Sequence, residues 1–196
     1  MNHIYYILKD EKMKLYNDNW KVEIKEIPNY NPDSLNNIKE PDAHFVFCND
    51  SSKTLLLKIS DIVGTNEKKI VLTVSLYTPQ NDFAFLEDSE LYLFLNDTVC
   101  VYNLQSGDIT KQKKIDISGS LFSVYKYQKD FILYCEVDII RMNRNLDVIW
   151  DFMARDIFVR QQGTEPAFVM KVDRIQLYDF LNNYYEIDYD GRIIKD

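Results

Sequence analysis

Short runs of β-branched and aromatic residues, separated by polar turns, recur along most of this 196-residue chain. The clearest runs are Lys53–Ile59, Ile70–Tyr77, Leu91–Leu95, Thr98–Leu104, Leu121–Tyr127, Phe131–Glu136, Asp138–Met142, Ala167–Val172, Arg174–Tyr178 and Tyr184–Tyr189. Val, Ile, Thr, Tyr and Phe fit a pleated, half-buried surface, so each run reads as a strand. The connections are Asn96-Asp97, Gln105-Ser106-Gly107-Asp108, Asn143-Arg144-Asn145, Asn182-Asn183 and Asp190-Gly191. Asn, Asp and Gly tolerate positive φ or bond their own backbone, which makes tight hairpins. No long amphipathic helix emerges. The pattern allows a turn or two of helix at Asp33 to Lys39 and at Leu146 to Arg155.

The runs also repeat as a set. Val101–Ile109, Ile139–Trp150 and Tyr184–Ile194 share an apolar pair, a turn and a following apolar strand, with fainter copies at Lys14–Val22 and Leu55–Gly64. Anchoring on Leu15, Ile59, Leu104, Met142 and Ile187 gives spacings of 44, 45, 38 and 45 residues. A second marker, Phe94-Leu95-Asn96-Asp97, returns as Phe180-Leu181-Asn182-Asn183 and as Phe47-Cys48-Asn49-Asp50. A period of this length with several short strands per unit is the mark of blade-like β-repeats, in which stacked units bury one another.

The hairpin pattern resembles the blade motif of quinoprotein-type (PQQ-like) β-propellers, most clearly over residues 90–196. In that motif a strand ends in a Leu-Asp-like pair, turns at a glycine and leaves through an apolar strand often closed by Trp. Gly107, Gly191 and Trp150 stand in those places. The family's quinone-binding residues find no match, so the resemblance implies no cofactor and no catalytic role. The expected fold is all-β, built of antiparallel β-meander repeats in a small β-propeller-like arrangement of four or five units. A twisted antiparallel β-sandwich is the alternative. One domain is expected over residues 1–196, with a long surface loop at 28–45 that holds three of the five prolines. Long loops in compact domains often bind ligands, and a plain connection is an equal reading.

Charge narrows the function classes. The net charge is −8, which repels a phosphate backbone and argues against nucleic acid. The basic clusters Lys68-Lys69 and Lys111, Lys113, Lys114 read as solvated turns. Three cysteines, Cys48, Cys100 and Cys135, cannot all pair in one chain and form no Cys-x-x-Cys, so reduced thiols are expected. Ile4–Leu8 is too short for a signal core, and no run approaches the roughly 20 apolar residues of a membrane helix. A cytoplasmic protein without membrane contact is the expectation.

Local chemistry is sparse. Glu186-Ile187-Asp188-Tyr189-Asp190-Gly191-Arg192-Ile193 has oxygens at positions 1, 3 and 5 of a calcium loop, but its position-12 acid would fall past Asp196. A hairpin turning at Asp190-Gly191 is the stronger reading. His44 and Cys48 lie four residues apart, roughly 13 Å on one strand, beyond reach of a thiolate–imidazole pair. His3 is the only other histidine. No nucleophile elbow, dinucleotide fingerprint or phosphate loop is present, and Ser118-Gly119-Ser120 reads as a plain turn. Glu136 and Asp138 read as a solvated strand face before an acid–base pair.

Tyrosines are the remaining signal: 14 of them, with Tyr125, Tyr127 and Tyr134 on neighbouring strands. Tyr is enriched at protein interfaces, having a large ring, few rotamers and a polar tip. The expected partner-binding group is therefore Tyr184, Tyr185, Tyr189, Asp188 and Asp190. The expected function is a non-catalytic intracellular protein-binding module for a basic partner, in its most concrete form an immunity-type inhibitor of a basic toxin. The alternative is a small-ligand-binding or hydrolytic propeller-like protein with a central-channel site. No metal or cofactor is expected, and oligomeric state is left open.

Overall fold

The computed structural model describes residues 12–28, 41–48, 53–75, 83–160 and 166–196. The helical stretch expected at Asp33 to Lys39, most of the 28–45 loop, His3 and Asn49-Asp50 lie outside these. Every regular element among the described residues is a strand, and none is a helix long and apolar enough to cross a membrane. The chain is all-β and propeller-like in its repeating sheets, of which the described residues hold four. One repeat domain was expected over 1–196. The chain forms two compact units, residues 1–115 and 116–196.

The first unit begins with β1 (Lys12–Tyr16), β2 (Trp20–Glu26), β3 (Ala43–Val46), β4 (Lys53–Asp61) and β5 (Glu67–Val74). Their order is β1-β2-β4-β5-β3, with β3 parallel to β5 and the other pairs antiparallel. The parallel edge breaks the simple meander here. A regular meander follows: β6 (Ala84–Glu87), β7 (Glu90–Leu95), β8 (Thr98–Asn103) and β9 (Asp108–Lys114). Leu15, Val22, Leu57, Leu72, Leu93 and Cys100 belong to one buried cluster shared by both sheets. Each aliphatic side chain so buried stabilises the unit by roughly 1.5–3 kcal/mol relative to exposure.

The second unit holds two more four-stranded meanders. One is β10 (Leu121–Tyr127), β11 (Asp130–Cys135), β12 (Asp138–Met142) and β13 (Val148–Met153). The other is β14 (Phe168–Met170), β15 (Arg174–Tyr178), β16 (Tyr184–Asp188) and β17 (Ile193–Lys195). Ile132, Ile139, Phe158, Ile175, Ile187 and Tyr185 meet in its core. Leu146 to Arg155 is not helical. Val148, Trp150 and Phe152 pair with β12 instead, because β-branched and aromatic side chains pack well on a pleat. The basic clusters also differ from expectation. Lys68 and Lys69 lie on β5, and Lys111, Lys113 and Lys114 on β9, where alternation turns one face to solvent.

A physical unit underlies the sequence repeat. Asn17 Oδ1 accepts from the backbone N–H of Asn19 and Trp20 at 3.0 and 2.8 Å. Asp61 Oδ1 does the same for Thr65 at 2.9 Å, and Asn103 Oδ1 for Gln105 and Ser106 at 2.9 Å each. Asn143 Oδ1 takes Asn145 and Asp147 at 2.8 and 2.9 Å, and Asp188 Oδ1 takes Asp190 and Arg192 at 2.9 and 2.8 Å. Each is an Asx side chain folding the hairpin that follows its strand. In the Asn143 hairpin the left-handed residue is Leu146, φ 68°, and its side chain is buried. Burial holds an aliphatic residue where most chains place glycine.

The turn at Ser118-Gly119-Ser120 is anchored rather than plain. Asp138 Oδ2 accepts the Ser118 N–H at 2.7 Å, and Glu136 Oε2 accepts that of Ser120 at 3.2 Å. A Cβ at Gly119 would overlap that Glu136 oxygen. Asp138 is buried, which corrects the solvated-face reading, and burial pushes its carboxyl up against the pull of the Ser118 bond. None of Cys48, Cys100 and Cys135 is in a disulfide, and Cys100 and Cys135 are buried.

Candidate partner-binding face

Strand alternation divides the expected tyrosine group. On β16, Tyr185 and Ile187 point into the core, followed by Tyr189 just beyond the strand, while Tyr184, Glu186 and Asp188 point outward. Tyr185 and Tyr189 are therefore buried and cannot present their rings to a partner. The Tyr185 hydroxyl donates to Asp179 Oδ2 at 2.7 Å. Asp179, fully buried, also accepts the Asn183 backbone and side-chain N–H groups at 2.8 Å each. Burial raises this carboxyl, but the Asn183 and Tyr185 bonds outweigh it and hold it below the usual range.

Tyr189 is a joint between sheets. Its ring stacks on Tyr127 at 3.8 Å and 11°, and its hydroxyl donates to the Lys171 carbonyl at 2.6 Å. Its own carbonyl accepts Arg141 Nη1 at 2.6 Å and Trp150 Nε1 at 2.8 Å. Arg141 is in turn paired with Asp130 at 2.6 Å. Trp150 packs on the next turn: a Cβ at Gly191, φ 83°, would lie 2.6 Å from Trp150 Cγ. Tyr125 and Tyr134 also work inside, each stacked on Phe168, at 4.9 and 4.6 Å.

The outward side carries an ordered polar–aromatic cluster. Register sets Arg174 opposite Asp188, Gln176 opposite Glu186, and Tyr178 opposite Tyr184, with Lys195 across from Glu186 on β17. Directly opposed side chains are close enough to interact. Tyr178 and Tyr184 pack with centroids 4.8 Å apart. The Arg160 guanidinium lies 4.0 Å over the Tyr178 ring and Lys195 Nζ 4.8 Å over that of Tyr184. Gln176 Nε2 donates to the Tyr184 hydroxyl at 2.8 Å and to Glu186 Oε1 at 2.9 Å. The Tyr184 hydroxyl donates to Glu186 Oε1, and Arg174 Nη1 reaches Glu186 Oε2 at 3.0 Å.

These bonds set the charges. The Tyr184 hydroxyl, then Gln176 and Arg174, draw Glu186 down to about 2. Desolvation and the neighbouring Glu186 push the Tyr184 phenol up to about 12. Asp173, bonded to the Arg174 fork at 3.0 and 2.9 Å, is also lowered. Asp190 stands at the rim with 71% of its side chain exposed. Of the expected residues, Tyr184 and Asp188 lie on this face and Asp190 on the adjoining turn. Arg174, Gln176, Tyr178, Glu186 and Lys195 belong to it and were missed. Period-two counting outward from Tyr184 finds Glu186, while the β15 members need the register.

No family model matches the sequence, and no curated protein matches it. Among solved structures the chain is similar to Hsv2 of Kluyvelomyces marxianus, at TM-score 0.41 and 6% identity, over 71% of this chain and 46% of that one. It is similar to the computationally designed Ika8 protein at TM-score 0.42 and 10% identity, over 76% and 46% of the two chains. For the AfRom2 CNH domain the values are 0.45 and 10%, over 98% and 69%. The chain thus spans less than half the length of the first two, at 46% each. At TM-scores below 0.5 these likenesses carry no argument about what the chain does.

The remaining sequence candidates separate. The His44 Nε2 atom and Thr73 Oγ1 are hydrogen-bonded at 2.9 Å across the parallel pair, and Cys48 lies beyond the end of β3. Burial pushes Cys100 up to about 12 and Cys135 higher still, so both thiols stay protonated. Glu186 to Ile193 forms a hairpin. Asp188 Oδ1 is engaged by the Asp190 and Arg192 N–H groups, and Gly191 turns the chain.

Proposed function

We propose that the protein is a non-catalytic, cytoplasmic protein-binding module that engages a basic partner through the outward face of β15 and β16. An immunity-type inhibitor of a basic toxin is its most concrete form. The carrying observation is the pre-assembled Tyr178–Tyr184 pair, fixed by Gln176 and Glu186 and flanked by Arg160 and Lys195, on a strand pair whose other end carries Asp173, Asp188 and Asp190. Rigid aromatics within a charged rim make an effective hot spot, because little ordering remains to be done on binding. The net charge of −8 favours fast encounter with a cationic protein. Binding is favoured over catalysis because the perturbed acids are tied into structure. Glu186 and Asp179 are held ionised by fixed donors, and Asp138 anchors a turn.

The test is affinity capture from the native cell with the full chain and with a Tyr178→Ala, Tyr184→Ala variant, circular dichroism confirming that both fold. The expected result is a basic protein retained by the wild type, released by salt and lost with the variant. Equal retention by both proteins, or no retained protein, overturns the reading.

A further inference from the structure

The three regular meanders end in strands of very different character. β9 carries Lys111, Lys113 and Lys114, and β17 is an edge of only three residues, exposed Ile193 and Ile194 closed by Lys195. Lysine on an edge strand discourages pairing with another chain, because a docking strand would have to accommodate its charge. β13 reads Val148-Ile149-Trp150-Asp151-Phe152-Met153 and carries no lysine. Among the described residues it pairs only with β12, and Val148, Ile149 and Met153 are 42, 47 and 61% exposed. The one charge on it is Asp151, which is exposed.

The edge is also well ordered. The Asn143 Asx turn fixes its start, the Trp150 indole is bonded to the Tyr189 carbonyl at 2.8 Å, and Phe152 is buried. The irregularity between Arg141 and Met142 sits at the beginning of the strand. From Trp150 to Met153 the register is regular, Arg141↔Trp150 through Asp138↔Met153. A rigid, apolar edge with one acid suits strand addition: backbone bonds supply affinity and alternate side chains supply selectivity.

We propose that the outer edge of β13 accepts an extended segment of a partner protein as an added antiparallel strand, with alternating apolar and basic residues. A Lys or Arg placed opposite Asp151 makes a favourable cross-strand pair, and an acidic residue there is repelled. The same charge argument selects a basic partner over a second copy, since two chains of net charge −8 repel. This surface lies on a different sheet from the Tyr184 face, so the two stand or fall separately.

The experiment uses the full chain and a fluorescein-labelled octapeptide of alternating Lys and Val, with its Glu/Val counterpart and a fully N-methylated Lys/Val version. Fluorescence anisotropy should show binding of the Lys/Val peptide alone. Asp151→Lys should weaken it about tenfold, and Ile149→Lys should weaken it as well. Asp108→Lys, a charge reversal at an exposed acid on β9, should leave it unchanged. Amide hydrogen exchange should slow on β13 when the peptide binds, a readout that does not depend on any variant folding. Absence of binding, equal binding of the N-methylated peptide, or protection confined to other strands overturns the proposal. A dimer in light scattering that Asp151→Lys dissolves also overturns it, in favour of a second copy.

Discussion

Alanine at Gly191 should destabilise the second unit by roughly 2–5 kcal/mol, and the two contributions can be separated. The residue has φ 83°, which costs an L-residue roughly 1–2 kcal/mol. The added Cβ would lie 2.6 Å from Trp150 Cγ and 2.9 Å from Cδ2, distances that real Cβ atoms essentially never show. The indole cannot simply withdraw, because its N–H is bonded to the Tyr189 carbonyl at 2.8 Å. Overpacking of this kind costs about 1–3 kcal/mol. In a Trp150→Ala background the clash is gone, so Gly191→Ala should then cost only the conformational ~1–2 kcal/mol. The assay is urea unfolding followed by far-ultraviolet circular dichroism on the four proteins of the cycle. Equal costs of Gly191→Ala in both backgrounds would refute the packing argument.

Three further outcomes follow from the charges and the burial. Glu186 is depressed to about 2 in the folded protein, so its stabilisation is present above its unfolded value and is lost as pH falls through the folded one. Tyr184→Phe removes the first of its donors and should move acid unfolding to higher pH, measured by circular dichroism between pH 5 and 2. Asp138 is raised by burial, so its charged form is disfavoured in the fold at neutral pH. Asp138→Asn keeps an acceptor for Ser118 and should preserve or increase the melting temperature at pH 7, whereas Asp138→Ala should lower it. Titration with a thiol reagent should label Cys48 first in the native chain. Cys100 and Cys135 should react only on unfolding, and rapid labelling of all three would contradict their burial.

Much of the fold is legible in the sequence because strands declare themselves by composition. β10, β12 and β15 occupy the very runs singled out by their Val, Ile, Leu, Phe and Tyr content. β9 was hidden because its sequence, Asp-Ile-Thr-Lys-Gln-Lys-Lys, is that of a solvated edge, and edge strands need not look apolar. Over β13 the sequence allows both the apolar strand of the repeat and a turn or two of helix, because the preceding turn has Leu146 rather than glycine as its left-handed residue. The repeat anchors have a concrete meaning, since each lies within two residues of Asn17, Asp61, Asn103, Asn143 or Asp188, the side chains that fold the hairpins. The tyrosine group is not one surface, because Tyr184 and Tyr185 are neighbours on a strand and must face opposite ways. Assigning which one faces out required the core that Ile187 shares with Ile132 and Ile139.

The division into residues 1–115 and 116–196 gives each unit one of the chain's two tryptophans. Trp20 packs on the core of the first, and Trp150 on Gly191 and the Tyr189 carbonyl in the second. Each unit therefore carries its own optical reporter. With Trp20→Phe the emission of the chain follows only the second unit, and with Trp150→Phe only the first. The order in which the two melt, and whether a bound partner steadies one or both, becomes a question of colour and intensity in an ordinary fluorimeter.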